Sequence, residues 1–142
     1  MPMAEREVAP VTVVPRTYDL VLWLVPRVNE FPRAQRFVLG DRILNAALDL
    51  LDQLTEAQFS RDRLGLLHRA NFTLARLRHL LRLANDLHLL GERRYEFVSE
   101  RLEEVGRMVG GWTRQQRARS GNTSARAEAH GEDLSPTVCR PD

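Results

Sequence analysis

The sequence predicts an all-α protein, an up-down-up-down four-helix bundle that assembles into a homo-oligomer. Three observations carry this. Apolar residues recur at 3–4 spacing over several long stretches, the period of one helix face. No window alternates apolar and polar residues long enough to make a strand. The ladders are separated by breaks of only a few residues, which force consecutive helices to lie antiparallel.

Residues 1–16 hold three prolines (Pro2, Pro10, Pro15) and the short β-branched run VTVV, and are expected to form an irregular N-terminal arm. A first helix is expected over Thr17–Asn29, led by Tyr18, Leu22 and Val25, with Pro26 kinking it or ending it early. Phe31-Pro32 makes a turn, and Pro32 suits the opening of the next helix. Helix two is expected over Arg33–Gln58, where Phe37, Gly40, Leu44, Ala47, Leu51 and Leu54 form a ladder. Ser60 is the candidate N-cap of helix three, with Asp62 in its first turn and Gly91 as its C′ stop. Helix four is expected over Glu92–Gln116, with Tyr95, Val98, Leu102, Val105, Val109 and Trp112 on one face. The bundle thus occupies 17–117, and the Ser-, Gly- and Ala-rich segment 118–142 is expected to be disordered.

Helix three says most about function. Leu67, Ala70, Leu74, Leu77, Leu81 and Ala84 form one ladder. Phe72, Leu80, Leu83, Leu87 and Leu90 form a second strip, about 120° around the helix. One stripe docks a helix into its own domain, so a second asks for another partner. Phe72, Leu80, Leu83 and Leu87 are therefore candidate subunit contacts. Gly106 and Gly110, inside helix four, are candidates for close approach of a partner backbone, with packing inside the monomer an equal alternative.

At 142 residues there is room for one domain with a real core. Its 43% hydrophobic and 28% charged residues are ordinary for a soluble globular protein. Net charge is only +2, but its distribution is uneven. Arg61–Arg82 holds six arginines against Asp62, whereas the segment from Ser120 onward holds two arginines and four acids. The chain has no lysine, which removes Schiff-base and P-loop-lysine chemistry. Every fixed cation is a guanidinium, the better group for bidentate phosphate contact. Cys139 is the single cysteine, so no disulfide frames the fold. No apolar run reaches membrane-spanning length and no leader pattern opens the chain, so a cytoplasmic protein is expected.

Chemistry-bearing constellations are sparse. His68, His79, His88 and His130 lack the i,i+4 pairing of a helical zinc site, so no metal is expected. His88 continues the core ladder after Ala84 and should pack inward near a helix end. Arg61 or Arg63 before His68, and Arg82 before His88, fit the Arg-x4–6-His spacing of HEPN-type ribonucleases, but the density of arginine supplies such pairs by chance. Asp49, Asp52 and Glu56, and Glu96, Glu100 and Glu103, form acidic ridges that read as solvated faces or as partners for arginine on a neighbouring subunit. No catalytic set, phosphate loop, cofactor site or small-molecule site emerges. The arginines remain: Arg78 and Arg82 one turn apart, Arg61 and Arg63 further up the helix, and Arg114, Arg117 and Arg119 at the end of helix four. These are the candidate nucleic-acid contacts, and an oligomer would repeat the patch into a polyanion-binding surface. No aromatic row accompanies them, so sequence-specific readout of a single strand by base stacking is not expected.

Four segments resemble the accessory variability determinant (Avd) proteins of diversity-generating retroelements. They are YDLVLWLVPRVNEFPRAQRFVLGDRI (Tyr18–Ile43), ALDLL (Ala47–Leu51), LRHLLRLA (Leu77–Ala84) and EVGRMVGGW (Glu104–Trp112). The resemblance spans about Tyr18 to Gln116 and is most specific in the first and last segments. It implies a four-helix bundle assembled as a homopentameric barrel with a basic surface. It also implies a protein without a catalytic site that binds a retroelement reverse transcriptase and its RNA or cDNA, supporting mutagenic copying. Arg78 and Arg82 match arginines of the family's third helix. The acidic segment after Arg119 departs from the basic tail expected of the family. The competing expectation is a stand-alone structural or RNA-binding bundle, like the proteins encoded by intervening sequences in large-subunit rRNA.

Overall fold

The computed structural model describes residues 2–138, with side chains over 12–121. Among these residues are four helices and no strand. Helix α1 spans Pro2–Asn29. Helix α2 is built of three abutting pieces: Arg33–Gln35, a π-helical turn Arg36–Gly40, and Asp41–Phe59. Helix α3 spans Leu64–Asp86 and α4 spans Glu92–Val138. Each helix packs on the next and α1 closes the ring against α4. The directions are antiparallel: along the α1–α4 seam Glu30 pairs with Arg94 and Arg16 with Glu104, one chain rising as the other falls.

The core is apolar and continuous. From α3 it takes Leu67, Ala70, Leu74, Leu77, Leu81 and Ala84, and from α4 Val98, Leu102, Val105, Val109 and Trp112, as the ladders predict. Three buried threonines satisfy their own hydroxyls. Thr17 donates to Val13 O, Thr113 to Val109 O, and Thr73 lies within hydrogen-bond distance of both Arg69 O and Gln53 Oε1 on α2.

Several expectations are corrected. Helix α1 begins at Pro2, within the segment expected to form an irregular arm. Val13 is fully buried, which anchors this upstream part of α1 to the core. Pro26 neither ends nor caps α1. It faces solvent, so the carbonyl of Leu22 that loses its donor can be hydrated. The core face of α1 is Leu20, Leu24, Val28 and, just beyond the helix, Phe31, whereas Tyr18, Leu22 and Val25 lie outside. On α2 the buried set is Leu39, Gly40, Ile43, Ala46, Ala47, Leu50, Leu54 and Ala57; Phe37 is exposed, and Leu44 and Leu51 are half-buried. The π-helical turn explains the shift at Phe37, because its one extra residue breaks the 3–4 phase there. At the other end α4 continues to Val138, past the point where disorder is expected. The run ARAEA over 125–129 consists of strong helix formers. Cys139 lies outside the described residues.

Two helix ends also differ. Ser60 is the C-cap of α2, and Arg63 holds the N-cap position of α3 with no acid in the first turn that follows. Helix α3 ends before Gly91 in a Schellman motif centred on His88 (φ 60°): His88 N–H bonds Asn85 O and Leu89 N–H bonds Ala84 O. His88 therefore sits outside the helix and exposed, not inward on the ladder. Gly91 has φ 92° and instead starts the turn into α4.

Candidate nucleic-acid interface

All of the predicted arginines except Arg117 fall into two places. The first is the seam between α3 and α4. Arg78 and Arg82 are exposed on the flank of α3 that faces α4, where the chain's 3.6-residue period puts them one turn apart. Arg82 makes a loose i,i+4 pair with Asp86 at 3.9 Å, both ends well solvated, so the pair holds neither charge tightly. Two cavities share Arg78 and Glu103 as walls. One, about 240 Å³, is lined by Arg78, Arg82, His79, Tyr95 and Ser99 among others. The next, about 390 Å³, is lined by Arg78, Arg107, Arg114, Glu103, Gly106 and Gly110.

Gly106 and Gly110 form the floor of that second cavity. The Arg78 guanidinium lies so close over Gly106 that a Cβ there would sit 2.5 Å from Nη2. At Gly110 the nearest atom to such a Cβ is Arg114 Nη1, at 3.6 Å. Within the monomer, the groups nearest to these two glycines are arginine side chains. The glycines let two arginine side chains lie low across α4, and they sit apart from the exposed strip of α3.

The second place is the corner where α2 turns into α3. Here Arg63 has a structural task. Its Nε donates to Ala57 O (2.9 Å) and Ser60 O (3.1 Å), and its Nη2 to Gln58 O (3.3 Å). These are carbonyls from the last turn of α2 and the residue after it, so the guanidinium caps that helix. It also lies 5.8 Å from the ring centroid of the buried Trp112. Arg61 extends outward from the same corner. Arg117 is exposed on α4 but lines neither place.

Sequence reasoning missed Arg107 and Phe59. Arg107 and Arg114 are two turns apart on α4 and could have been paired from spacing alone. Arg119, with Gln116 and Ser120, closes a cavity of about 510 Å³ at the corner, opposite Phe59, Ser60, Arg61, Asp62, Arg63 and Leu64. Phe59 is 84% exposed, and only the fold shows that its ring points away from the core.

Of the predicted subunit contacts on and just after α3, Phe72 (68% exposed), Leu83 and Leu87 are exposed, while Leu80 is half-buried against the core. An outward strip, Tyr18, Leu22 and Val25, lies on α1. Among the described residues no three His, Cys, Asp or Glu side chains gather to hold a metal ion, and no helix is long and apolar enough to cross a membrane.

The fold has a solved counterpart. A protein of unknown function from the S23 ribosomal protein family of Bacteroides thetaiotaomicron superposes with a TM-score of 0.69 at 15% identity, covering 75% of this chain and 98% of that one. No curated protein matches in sequence. A family model described as bAvd-like matches residues 11–116, and the chain belongs to that bAvd-like family.

Proposed function

We propose that this chain is a non-catalytic accessory subunit of a diversity-generating retroelement, binding the reverse transcriptase and its template RNA or cDNA during mutagenic copying. The observation that carries the reading is the arginine-lined α3–α4 seam on a chain of the bAvd-like family. Guanidinium groups beside glycine suit phosphate contact: their planar donors match the anion bidentately, and the backbone can approach closely. Affinity from such contacts is electrostatic and falls steeply with salt.

In this reading the protein works as an oligomer in the cytoplasm. The exposed strips on α1 and α3 lie on helices that are not neighbours in the bundle, so each copy offers two different apolar patches. Patches of that kind join head to tail, and close into a ring when the rotation allows. The Avd resemblance supports a pentamer for that ring, which would multiply the arginine seam around it.

The test is co-purification with the reverse transcriptase encoded nearest its gene, at moderate salt and after nuclease treatment. A stable complex is expected. No complex, with the bundle still oligomeric, would refute the accessory role and favour a stand-alone structural or RNA-binding bundle.

A further inference from the structure

We infer that the corner between α2 and α3 is a single-strand subsite, where Phe59 stacks one unpaired nucleobase and the arginines around it take the flanking phosphates. The inference rests on the nucleic-acid reading above and adds to it the strandedness of the ligand.

Phe59 is the most exposed large apolar side chain among the described residues. It is the last residue of α2, and Arg63 binds the carbonyls on either side of it, fixing the chain reversal that turns the ring outward. The ring is therefore presented by a braced turn, so little backbone ordering entropy remains to be lost on binding. The cavity it lines is about 510 Å³, within the range of small-molecule sites, and its lining includes Arg61, Arg63 and Arg119 against the single acid Asp62. The remaining polar walls are Ser60, Gln116 and Ser120. An aromatic face beside guanidinium groups matches the two halves of a nucleotide, a flat base and an anionic phosphate. A net-positive rim disfavours a basic peptide, and the open, polar walls suit a nucleotide better than an apolar side chain from a protein partner.

A base inside a duplex is already stacked and cannot reach Phe59, whereas duplex phosphates remain available to arginine. That difference provides the experiment. The wild-type protein and its Phe59→Ala, Phe59→Tyr and Arg61→Ala variants are titrated by fluorescence anisotropy into an unstructured labelled RNA 20-mer and into the same 20-mer as a duplex. Phe59→Ala is expected to weaken single-strand binding about fivefold or more with duplex binding unchanged, and Phe59→Tyr to restore it. Arg61→Ala is expected to weaken both ligands and to reduce the salt dependence of each.

Equal affinity of wild type and Phe59→Ala for the single strand overturns the subsite and leaves the nucleic-acid reading standing. A wild type that binds neither RNA removes both. A Phe59→Ala protein with altered assembly mass also overturns the subsite, because the ring would then be a contact between copies.

Discussion

Two helical glycines should respond to alanine with opposite sign. Gly40 and Gly106 both lie inside helical segments, and Gly40 has ordinary right-handed angles (φ −60°, ψ −45°), so neither alanine meets backbone strain. Each substitution alone should gain about 1 kcal/mol from helix propensity. What the new methyl meets decides the rest. At position 40 it would lie 2.7 Å from Val28 Cγ1, about 1 Å inside the normal carbon–carbon separation. Val28 is buried and β-branched, with little rotamer freedom to retreat, so overpacking costs about 1–3 kcal/mol. At position 106 the methyl meets Nη2 of Arg78, the far end of a long exposed side chain that can swing into water. Gly106→Ala should therefore stabilise the bundle by up to about 1 kcal/mol, and Gly40→Ala should leave it unchanged or destabilise it by up to about 2 kcal/mol. Urea unfolding followed by far-UV circular dichroism, at one fixed protein concentration, measures both. The sharper form is a double-mutant cycle: in a Val28→Ala background the obstructing methyl is gone, and Gly40→Ala should become stabilising. A Gly40→Ala protein as stable as Gly106→Ala, or a cycle with no coupling, would refute this account of the α1–α2 contact.

Arg63→Ala should cost about 2 kcal/mol in the same unfolding assay, because three carbonyls lose a charged donor, and Arg63→Lys should not restore it. His88→Gly should stabilise by about 1 kcal/mol, since glycine takes the left-handed conformation without a Cβ penalty; an unchanged or lower midpoint contradicts the Schellman reading. Arg78→Ala combined with Arg82→Ala should lower RNA affinity and flatten its salt dependence while assembly mass stays the same; unchanged binding would move the interface elsewhere. Leu83→Glu should reduce assembly mass by light scattering with helicity retained, and an unaltered mass would remove the α3 strip from the subunit contact.

The sequence was most legible where one apolar ladder ran unbroken. The buried faces of α3 and α4 follow from spacing, because the unbroken ladder of each is the one that turns inward, even beside the second strip of α3. Helix α1 carries two ladders of equal quality, and spacing cannot say whether Tyr18–Leu22–Val25 or Leu20–Leu24–Val28 turns inward. Packing against α2 and α4 decides it. His88 extends the α3 ladder on paper, but the helix ends at Asp86, so its period no longer governs where the imidazole points. The arginines were legible as a group and not in their tasks. Arg78 and Arg114 lie over glycines some 30 residues distant or one turn away, and Arg63 caps a helix only because the chain reverses at Ser60. Phe59 shows the same limit: its exposure is a property of the corner and leaves no periodic trace.

The π-helical turn at Arg36–Gly40 has a bearing on how the family can vary in length. A π turn holds one residue more than the α-helical turn it replaces, and the helix on either side keeps its place. Loss of a single residue between Arg36 and Gly40 would thus regularise α2 without moving Ile43, Ala47 or Leu50 from the core. In an alignment of relatives, a one-residue gap there would record a local change of winding and would leave the rest of the bundle in register.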